Sequence, residues 1–391
     1  MNIALFTDTY PPFINGVSTS CYNLTKTLRE HGHRVIVVTP RTTKGKLEFK
    51  DDIIYMPGIE LKNLYGFRAT TIFSRTVTKI LKENNIELIH NQTDATIGMF
   101  ARIAARRLKL PIVYTYHTSY EDYTYYATHG VLDRVAKKVV RSYSKGIATK
   151  ATEFITPSVK TKDFMRSVGT DIYINVIPTG LDFSIFAMDK FDLDRAKKFR
   201  EEHGIDEDTK VVLLLGRVAK EKSMDVSIKF FAKYLETHPE EKVKMIVVGD
   251  GPQRSELELL THELHIASKV DFIGFVDASE VPFYYHVADV FNSASTTETQ
   301  GLTFMEAMVS RCIVLARFDD NLTDTIIDEE TGYFFTDEAS YISKLEKIFT
   351  NGDIVNNKIK ENALEVVEEY SMDKFYERVI EVYRRALRKH W

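Results

Sequence analysis

The stretch KVVLLLGRVAKEKSMD, residues 210–225, decides the fold because it repeats, halfway along the chain, a pattern already present near the amino terminus. Its apolar run predicts a buried strand, a polar loop follows, and residues 223–239 have the apolar spacing of an amphipathic helix. Near the amino terminus, residues 3–6 form a short apolar run, a loop containing Pro and Gly extends to Gly16, and residues 18–30 again predict a helix. Both segments are typical of the strand, loop and helix units of Rossmann type.

Further apolar runs that end in polar residues predict the remaining strands of two parallel sheets. They are IELIHNQ (86–92), PIVYTYH (111–117) and EFITPS (153–158) in the first half, and VKMIVVGDGP (243–252), KVDFIGFV (269–276), ADVFNSAS (288–295) and CIVLARF (312–318) in the second. We therefore predict an α/β protein with two doubly wound, Rossmann-like domains, residues 1–185 and 186–370. A helix over about residues 371–391 is expected to pack back on the first domain. Such sheets bind ligands outside the carboxyl ends of their strands, so we expect a ligand in the cleft between the domains.

The composition is that of a globular protein, with 44% hydrophobic and 28% charged residues, and no apolar run is long enough to span a bilayer. The amino terminus has no basic leader, so a cytoplasmic location is expected. Two cysteines, Cys21 and Cys312, exclude a disulfide framework. The net charge of -4 hides an excess of Lys and Arg up to Gly180 and an excess of Asp and Glu after it. This asymmetry indicates that one face meets something anionic, either nucleic acid or an acidic membrane surface.

Six motifs in order give the chain a family resemblance: PPFINGVSTS (11–20), YTYHTSY (114–120), VIPTGLD (176–182), GRVAKEKSMD (216–225), VVGDGPQR (247–254) and ETQGLTFMEAM (298–308). They resemble the retaining GT-B glycosyltransferases of family 4, which transfer sugars from nucleotide-sugar donors, along almost the whole chain. The segments at 297–307 and 319–335 resemble those of bacterial glycolipid synthases that glucosylate diacylglycerol. The resemblance implies a GT-B fold, two Rossmann-like domains facing across a cleft, and a hexosyltransferase that uses UDP-glucose.

The departure of a nucleoside diphosphate leaves negative charge on phosphate oxygens, and fixed cations and N–H groups stabilise that charge most in the transition state. The resemblance implies that Arg217 and Lys222, which follow a predicted strand, hold the diphosphate. By themselves, these residues are more typical of a solvated loop with scattered charges. Gly16 lies in the first strand-to-helix loop, where its backbone could reach phosphate. The family places a histidine near the donor sugar at the position of His117, although a histidine at the end of a strand is often structural.

The predicted helix at LTFMEAMV (302–309) has both amides and carboxylates near its start. The N–H groups of Gly301, Leu302 and Thr303 suit a phosphate. The resemblance implies that Glu298 holds hydroxyls of the transferred sugar and that Glu306 holds those of the ribose. Without the resemblance, Glu298 could favour the helix dipole and Glu306 could be an exposed helix residue.

No metal site is expected. Asp192 and Asp194 form a DxD pattern, which holds a metal in other glycosyltransferases, but they precede a charged helical segment, where Asp favours a helix start. Fixed cations would then replace the metal, and no cofactor other than the nucleotide-sugar substrate is expected. We expect retention of anomeric configuration, with attack on the face from which the diphosphate leaves and a phosphate oxygen taking the proton of the acceptor.

The segment at 130–150 combines apolar residues at helical spacing with basic residues, as in helices that lie in a membrane interface. The alternative is an ordinary surface helix that packs on its own domain. Together with the resemblance, the segment predicts a peripheral membrane protein that acts on diacylglycerol or a glycolipid and does not bind nucleic acid. Alternatives are the same transfer to a soluble, protein-linked or cell-wall polymer acceptor, a nucleotide-sugar epimerase, or an inactive partner subunit. The basic residues are Arg134, Lys137, Lys138, Arg141 and Lys145.

Two positions depart from the family pattern. Ser223 stands where relatives often have Gly after the lysine, and Arg311 stands where they usually have Gly before a Pro, which is Ile313 here. These departures put the local shape of both loops, and the donor preference, in question.

Overall fold

The computed structural model describes residues 1–13, 15–60, 68–117, 141–142, 144–188, 191–296, 298 and 300–390. The chain forms two compact units, Met1–Gly180 together with Met372–Trp391, and Leu181–Ser371. Leu181 lies with the second unit because its N–H donates to the carbonyl of Tyr370 at 2.8 Å and its side chain is buried in that core. The expected boundary after residue 185 is therefore too late.

The strands of the first unit are β1 (Asn2–Phe6), β2 (Arg34–Pro40), β3 (Glu48–Lys50), β4 (Ile53–Met56), β5 (Gly58–Glu60), β6 (Arg68–Thr70), β7 (Leu88–Asn91), β8 (Ile112–Thr115), β9 (Glu153–Thr156) and β10 (Ile174–Val176). Eight of them form one sheet in the order β10-β9-β8-β7-β1-β2-β4-β3, in which β3 pairs antiparallel and the other neighbours pair parallel. β5 and β6 form a separate antiparallel pair.

Both faces of this sheet are covered, as expected for parallel strands. In β1, Ile3 and Leu5 enter one buried apolar cluster, and Ala4 and Phe6 enter another on the opposite face. The covering helices include α1 (Gly16–Glu30), α2 (Arg75–Glu83), α3 (Thr96–Leu108) and α4 (Val159–Ser167). The sheet therefore has a doubly wound core, and its polar residues collect where the strands end.

The second unit repeats this plan with α5 (Leu193–Glu202), β11 (Lys210–Leu215), α6 (Met224–Thr237), β12 (Val243–Val248), α7 (Arg254–Glu263), β13 (Val270–Gly274), α8 (Val281–Val287), β14 (Val290–Ser293), α9 (Leu302–Val309), β15 (Ile313–Arg317), β16 (Tyr333–Phe335), α10 (Glu338–Thr350) and α11 (Asp353–Glu368). Its sheet has the order β13-β12-β11-β14-β15-β16, and all neighbours pair parallel. The restart predicted at residue 210 is confirmed. Val211 and Leu213 of β11 enter one cluster, and Val212 and Leu214 enter the other.

The last helix, α12 (Met372–His390), belongs to the first unit. Its residues Phe375, Val379 and Tyr383 are buried in the same apolar cluster as Ile3 and Leu5 of β1. A Cβ at Gly180 would lie 2.6 Å from the Cβ of Phe375, so glycine permits the close approach of the chain to this helix. None of the helices in the described part of the chain has both the length and the apolar composition to cross a membrane.

Candidate active site

The loop that follows β11 carries Arg217, and it is held by the loop that follows β12. A Cβ at Gly249 would lie 1.9 Å from the carbonyl oxygen of Gly216, and one at Gly251 would lie 2.3 Å from that of Val218. Both contacts require glycine because no side chain fits between the two backbones. Arg217, whose side chain is exposed, therefore starts from a fixed backbone at the carboxyl end of the sheet.

Lys222 and Glu298 form an ion pair in this unit, although they are far apart in the sequence. The Nζ of Lys222 lies 2.6 Å from Oε1 of Glu298, and the two side chains are 29% and 11% exposed. Both residues line one cavity together with Thr303. An ammonium group has three N–H donors, so the bond to Glu298 leaves two for the oxygens of an anion. The structure thus brings together three residues that the sequence analysis had selected.

Both positions that depart from the family pattern have a backbone conformation that favours glycine. Ser223 has φ 49° and ψ 38°, and Arg311 has φ 58°. Both lie in the left-handed region, which glycine adopts freely and which costs other residues about 1–2 kcal/mol. The chain therefore keeps a glycine-type turn after Lys222 without having the glycine.

Gly301 allows α9 to begin at the site. It is the N-cap of the helix with φ 73° and ψ 47°, and a Cβ there would lie 2.5 Å from Cδ2 of Leu322. Its carbonyl accepts from the N–H groups of Phe304 and Met305. The amides of Gly301, Leu302 and Thr303 belong to the first turn, whose N–H groups have no partner within a helix. They are available to an anion at this end of the helix.

Asn321 fixes the loop that carries Glu298, a role that the sequence analysis missed. Its side-chain amide donates to the backbone carbonyl of Glu298, and its own N–H donates to Oδ1 of the buried Asp319 at 2.9 Å. The one signal in the sequence was the segment at 319–335, which carried the resemblance to glycolipid synthases.

Glu306 is partly buried, so the interpretation as an exposed helix residue is wrong. The hydroxyl of Tyr285 lies 3.1 Å from Oε2 of Glu306 and 3.0 Å from the carbonyl oxygen of Thr303. Burial raises the pKa of the Glu306 carboxyl to about 7, and the hydrogen bond from Tyr285 opposes that rise. Tyr285, which the sequence analysis did not select, is fully buried on α8.

Two further candidates, Gly16 and His117, lie in the first unit. Gly16 is the first residue of α1 and directly follows the N-cap Asn15. A Cβ at Gly16 would have no atom within 4 Å. Packing therefore does not explain the glycine. His117 follows β8, and its Nε2 lies 2.5 Å from Oε1 of Gln92. Burial lowers the pKa of His117 to about 4, so its imidazole is neutral near pH 7.

The DxD pattern has a structural use. Asp192 is the N-cap of α5, where its carboxylate accepts from the N–H of Arg195 at 2.9 Å. Among the described residues, no group of three or more His, Cys, Asp or Glu side chains is arranged to hold a metal ion.

Of the basic residues predicted to meet a membrane, Arg134, Lys137 and Lys138 lie outside the described residues. Arg141 and Lys145 are described, and both are exposed in helical backbone.

Comparisons with known proteins agree with this architecture. Residues 14–184 match the model of Glycosyltransferase Family 4, and residues 195–366 match that of Glycosyl transferases group 1. The alpha-monoglucosyldiacylglycerol synthase of Acholeplasma laidlawii is 33% identical over 92% of this chain and 91% of its own length. The enzyme of the same name from Streptococcus pneumoniae is 33% identical over 99% of this chain and 86% of its own length.

The fold also matches a solved structure, that of Anabaena Alr3699/HepE in complex with UDP-glucose. The TM-score is 0.74 at 18% identity, and the match covers 98% of this chain and 99% of the other. The two mainly parallel sheets, the cation and carboxylates near the strand ends of the second sheet, and these similarities over nearly the full length lead to one conclusion. The chain belongs to the family 4 glycosyltransferases of GT-B fold and is a hexosyltransferase.

Proposed function

We propose that the protein moves glucose from UDP-glucose to diacylglycerol, or to a glycolipid, at a membrane surface, with retention of configuration and without a metal ion. The observation that carries this proposal is the cavity in which Lys222, Glu298 and Thr303 meet at the start of α9. A cation and helix amides suit the diphosphate of the donor, and a carboxylate beside them suits sugar hydroxyls. The similarity to two alpha-monoglucosyldiacylglycerol synthases supports the choice of sugar and acceptor.

The leaving diphosphate would be stabilised by groups whose backbone is fixed before the donor binds. Lys222 is oriented by its bond to Glu298, Arg217 stands on a clamped loop, and the amides of Leu302 and Thr303 begin α9. Such groups need no reorganisation when charge develops on the phosphate oxygens. They supply the electrostatic stabilisation that a metal ion gives in other sugar transfers.

The two carboxylates would hold hydroxyl groups on either side of the diphosphate. Glu298 accepts hydrogen bonds from the transferred sugar, and Glu306 accepts them from the ribose. Because the pKa of Glu306 is raised to about 7, its carboxylate gains a proton as the pH falls through 7 and loses acceptor capacity. We therefore expect the KM for UDP-glucose to rise below pH 7.

In the transfer itself, the acceptor oxygen forms a bond to the anomeric carbon on the face from which UDP departs. The bond between that carbon and the diphosphate oxygen breaks, the electron pair leaves with UDP, and a phosphate oxygen takes the proton of the acceptor hydroxyl. The side chains described here stabilise charge and orient the donor, and none is assigned as a nucleophile.

Membrane association is the second part of the proposal, and it rests on the basic segment around residues 130–150. Each basic residue near an anionic leaflet contributes about 1 kcal/mol before screening, so the five named residues contribute at most about 5 kcal/mol. Arg141 and Lys145 are exposed, as such a role requires.

The test is transfer of radiolabel from UDP-glucose to diacylglycerol in vesicles that contain an anionic lipid, with and without EDTA. We expect labelled glucolipid both with and without EDTA, and we expect NMR of the product to show the α-anomer. Failure to transfer label to any lipid acceptor would reject the proposed acceptor. Sedimentation with the same vesicles at low and high salt tests the membrane part, since binding at low salt alone is expected.

The same transfer to a soluble, protein-linked or cell-wall polymer acceptor is the second candidate. It is supported if the protein stays in the supernatant at both salt concentrations and labels a water-soluble product. Family membership disfavours the nucleotide-sugar epimerase, and the Lys222–Glu298 pair argues against an inactive partner subunit.

A further inference from the structure

A buried network of polar side chains connects α12 to His117 within the first unit. The hydroxyl of Tyr383 lies 2.6 Å from Nδ1 of His90, and that of Thr115 lies 2.7 Å from Nε2 of His90. The amide nitrogen of Gln92 lies 3.1 and 3.0 Å from the same two ring nitrogens. On its other side, Oε1 of Gln92 lies 2.5 Å from Nε2 of His117. His90, Gln92, Thr115 and Tyr383 are at most 6% exposed.

This arrangement determines which ring nitrogen of His117 carries the proton. Both ring nitrogens of His90 already have a hydroxyl partner, and the amide group of Gln92 lies against that ring with its oxygen towards His117. A carbonyl oxygen only accepts hydrogen bonds, so Nε2 of His117 must be the donor. A neutral imidazole has one N–H, and Nδ1 of His117 is therefore an acceptor.

Burial keeps His117 neutral near pH 7, and the titratable groups nearest to it in this network are His90, Tyr383 and Asp8. Burial and, to a smaller extent, the neighbouring His117 together lower the pKa of His90, on β7, to about 3. Burial raises the pKa of Tyr383, on α12, well above its ordinary value. Asp8, after β1, accepts a hydrogen bond from Thr93 next to Gln92, and burial raises its pKa to about 6.

We infer that Gln92 is a positioning residue that holds His117 as its Nε2–H tautomer and thereby presents Nδ1 as a hydrogen-bond acceptor for a hydroxyl of a sugar substrate. The part that concerns the sugar rests on the proposed function. The geometry gives Gln92 this role because it is the one described side chain that joins His117 to the rigid pair of His90 and Tyr383.

Nuclear magnetic resonance of protein labelled with ¹⁵N-histidine tests the tautomer without any substrate. The chain has 11 histidines, and the His117 signals are identified by their loss in His117→Asn. Wild type is expected to show a protonated Nε2 and a bare Nδ1 at pH 7. A proton on Nδ1 of His117 in the wild type would overturn the inference, whether or not the protein transfers sugar.

Two substitutions then separate positioning from structure. Gln92→Met keeps the length of the side chain and removes the acceptor, so the single tautomer is lost and kcat falls by about 10- to 100-fold. Gln92→Glu keeps an acceptor but places a carboxylate beside Nε2. This favours the imidazolium and raises the pKa of His117 by about one to three pH units, which titration of its ¹⁵N signals measures.

Asn23→Leu is the matched control, because Asn23 is a buried amide of the same unit that donates to the carbonyl of Gly180 at 2.7 Å. It removes a comparable hydrogen bond and should leave the His117 signals and their pH dependence unchanged. If Asn23→Leu shifts both as Gln92→Glu does, or if Gln92→Met retains the wild-type tautomer and kcat, the inference fails. Absence of transfer in the wild type would instead reject the proposed function and leave the tautomer result standing.

Discussion

Replacement of Lys222 by methionine separates the structural and chemical contributions of the Lys222–Glu298 pair. Methionine keeps the length of the stem and removes the ammonium group, so Glu298 stays only 11% exposed but loses its cation. A buried charge left without its partner destabilises the folded state. We expect lower stability in the absence of any substrate.

The magnitude follows from the geometry. Two unit charges 2.6 Å apart attract each other by about 6 kcal/mol at an effective dielectric constant near 20, and desolvation offsets most of this. Hydrogen bonds to charged groups have a net value of about 1.5–3 kcal/mol. Because Lys222 is 29% exposed, solvent screening weakens the pair, and we expect its net contribution to stability at the lower end of this range, about 1.5 kcal/mol. For a domain of this size, the loss of this contribution lowers Tm by about 3–6 °C.

The assay is a double-mutant cycle of Lys222→Met and Glu298→Gln, with urea unfolding and kcat/KM measured for all four proteins. The double variant should recover most of the stability, since no unpaired carboxylate remains. It should not recover activity, which falls by about 10²- to 10³-fold when a group that stabilises the leaving diphosphate is lost. A coupling free energy below about 0.3 kcal/mol would refute the stability argument. Recovery of activity in the double variant would show that Lys222 acts only through Glu298.

Arg217→Ala should lower kcat/KM by about 10²- to 10³-fold and leave the urea midpoint unchanged. Unaltered turnover would show that Arg217 does not stabilise the leaving diphosphate. Asp8→Asn should flatten the dependence of stability on pH. Burial raises the pKa of Asp8 from 3.8 to about 6, so its protonation contributes about 3 kcal/mol of stability, which is complete below pH 3.8 and is lost as the pH rises through 6. If the free energy of unfolding in urea changes with pH equally in both proteins between pH 4 and 7, this prediction is contradicted. Arg311→Gly should stabilise the folded protein by about 1 kcal/mol because φ of Arg311 is 58°, whereas Arg311→Ala should give no gain. Equal urea midpoints for the two variants would count against backbone strain at this residue.

The sequence predicted most of the strands that are buried on both faces, because such strands form continuous apolar runs. β11 is an example, since four of its six residues are buried. It did not predict β3, whose residues Glu48–Lys50 are all exposed, the short pair β5 and β6, or the short strands β4, β10 and β16. Strands of three or four residues are too short to show the periodicity on which prediction depends, unless they lie in a longer apolar run.

The candidate site was predicted as a set of residue types, whereas the contacts between them were not. Glu298 and Lys222 could be selected by motif, but their ion pair joins two loops through the fold of the sheet. Tyr383 could not be connected to His90, because a hydrogen bond across 293 positions has no local signal. The positioning residues Gln92 and Asn321 were missed for the same reason.

The placement of α12 also bears on the order of folding during synthesis. Residues Leu181–Ser371 form a continuous segment, so that unit has all of its core once this segment has left the ribosome. The earlier part of the chain must wait, because Phe375, Val379 and Tyr383 fill its apolar cluster and arrive last. Until then one face of its sheet exposes apolar surface that a chaperone could bind, and the later half of the protein is free to reach its native state before the first half.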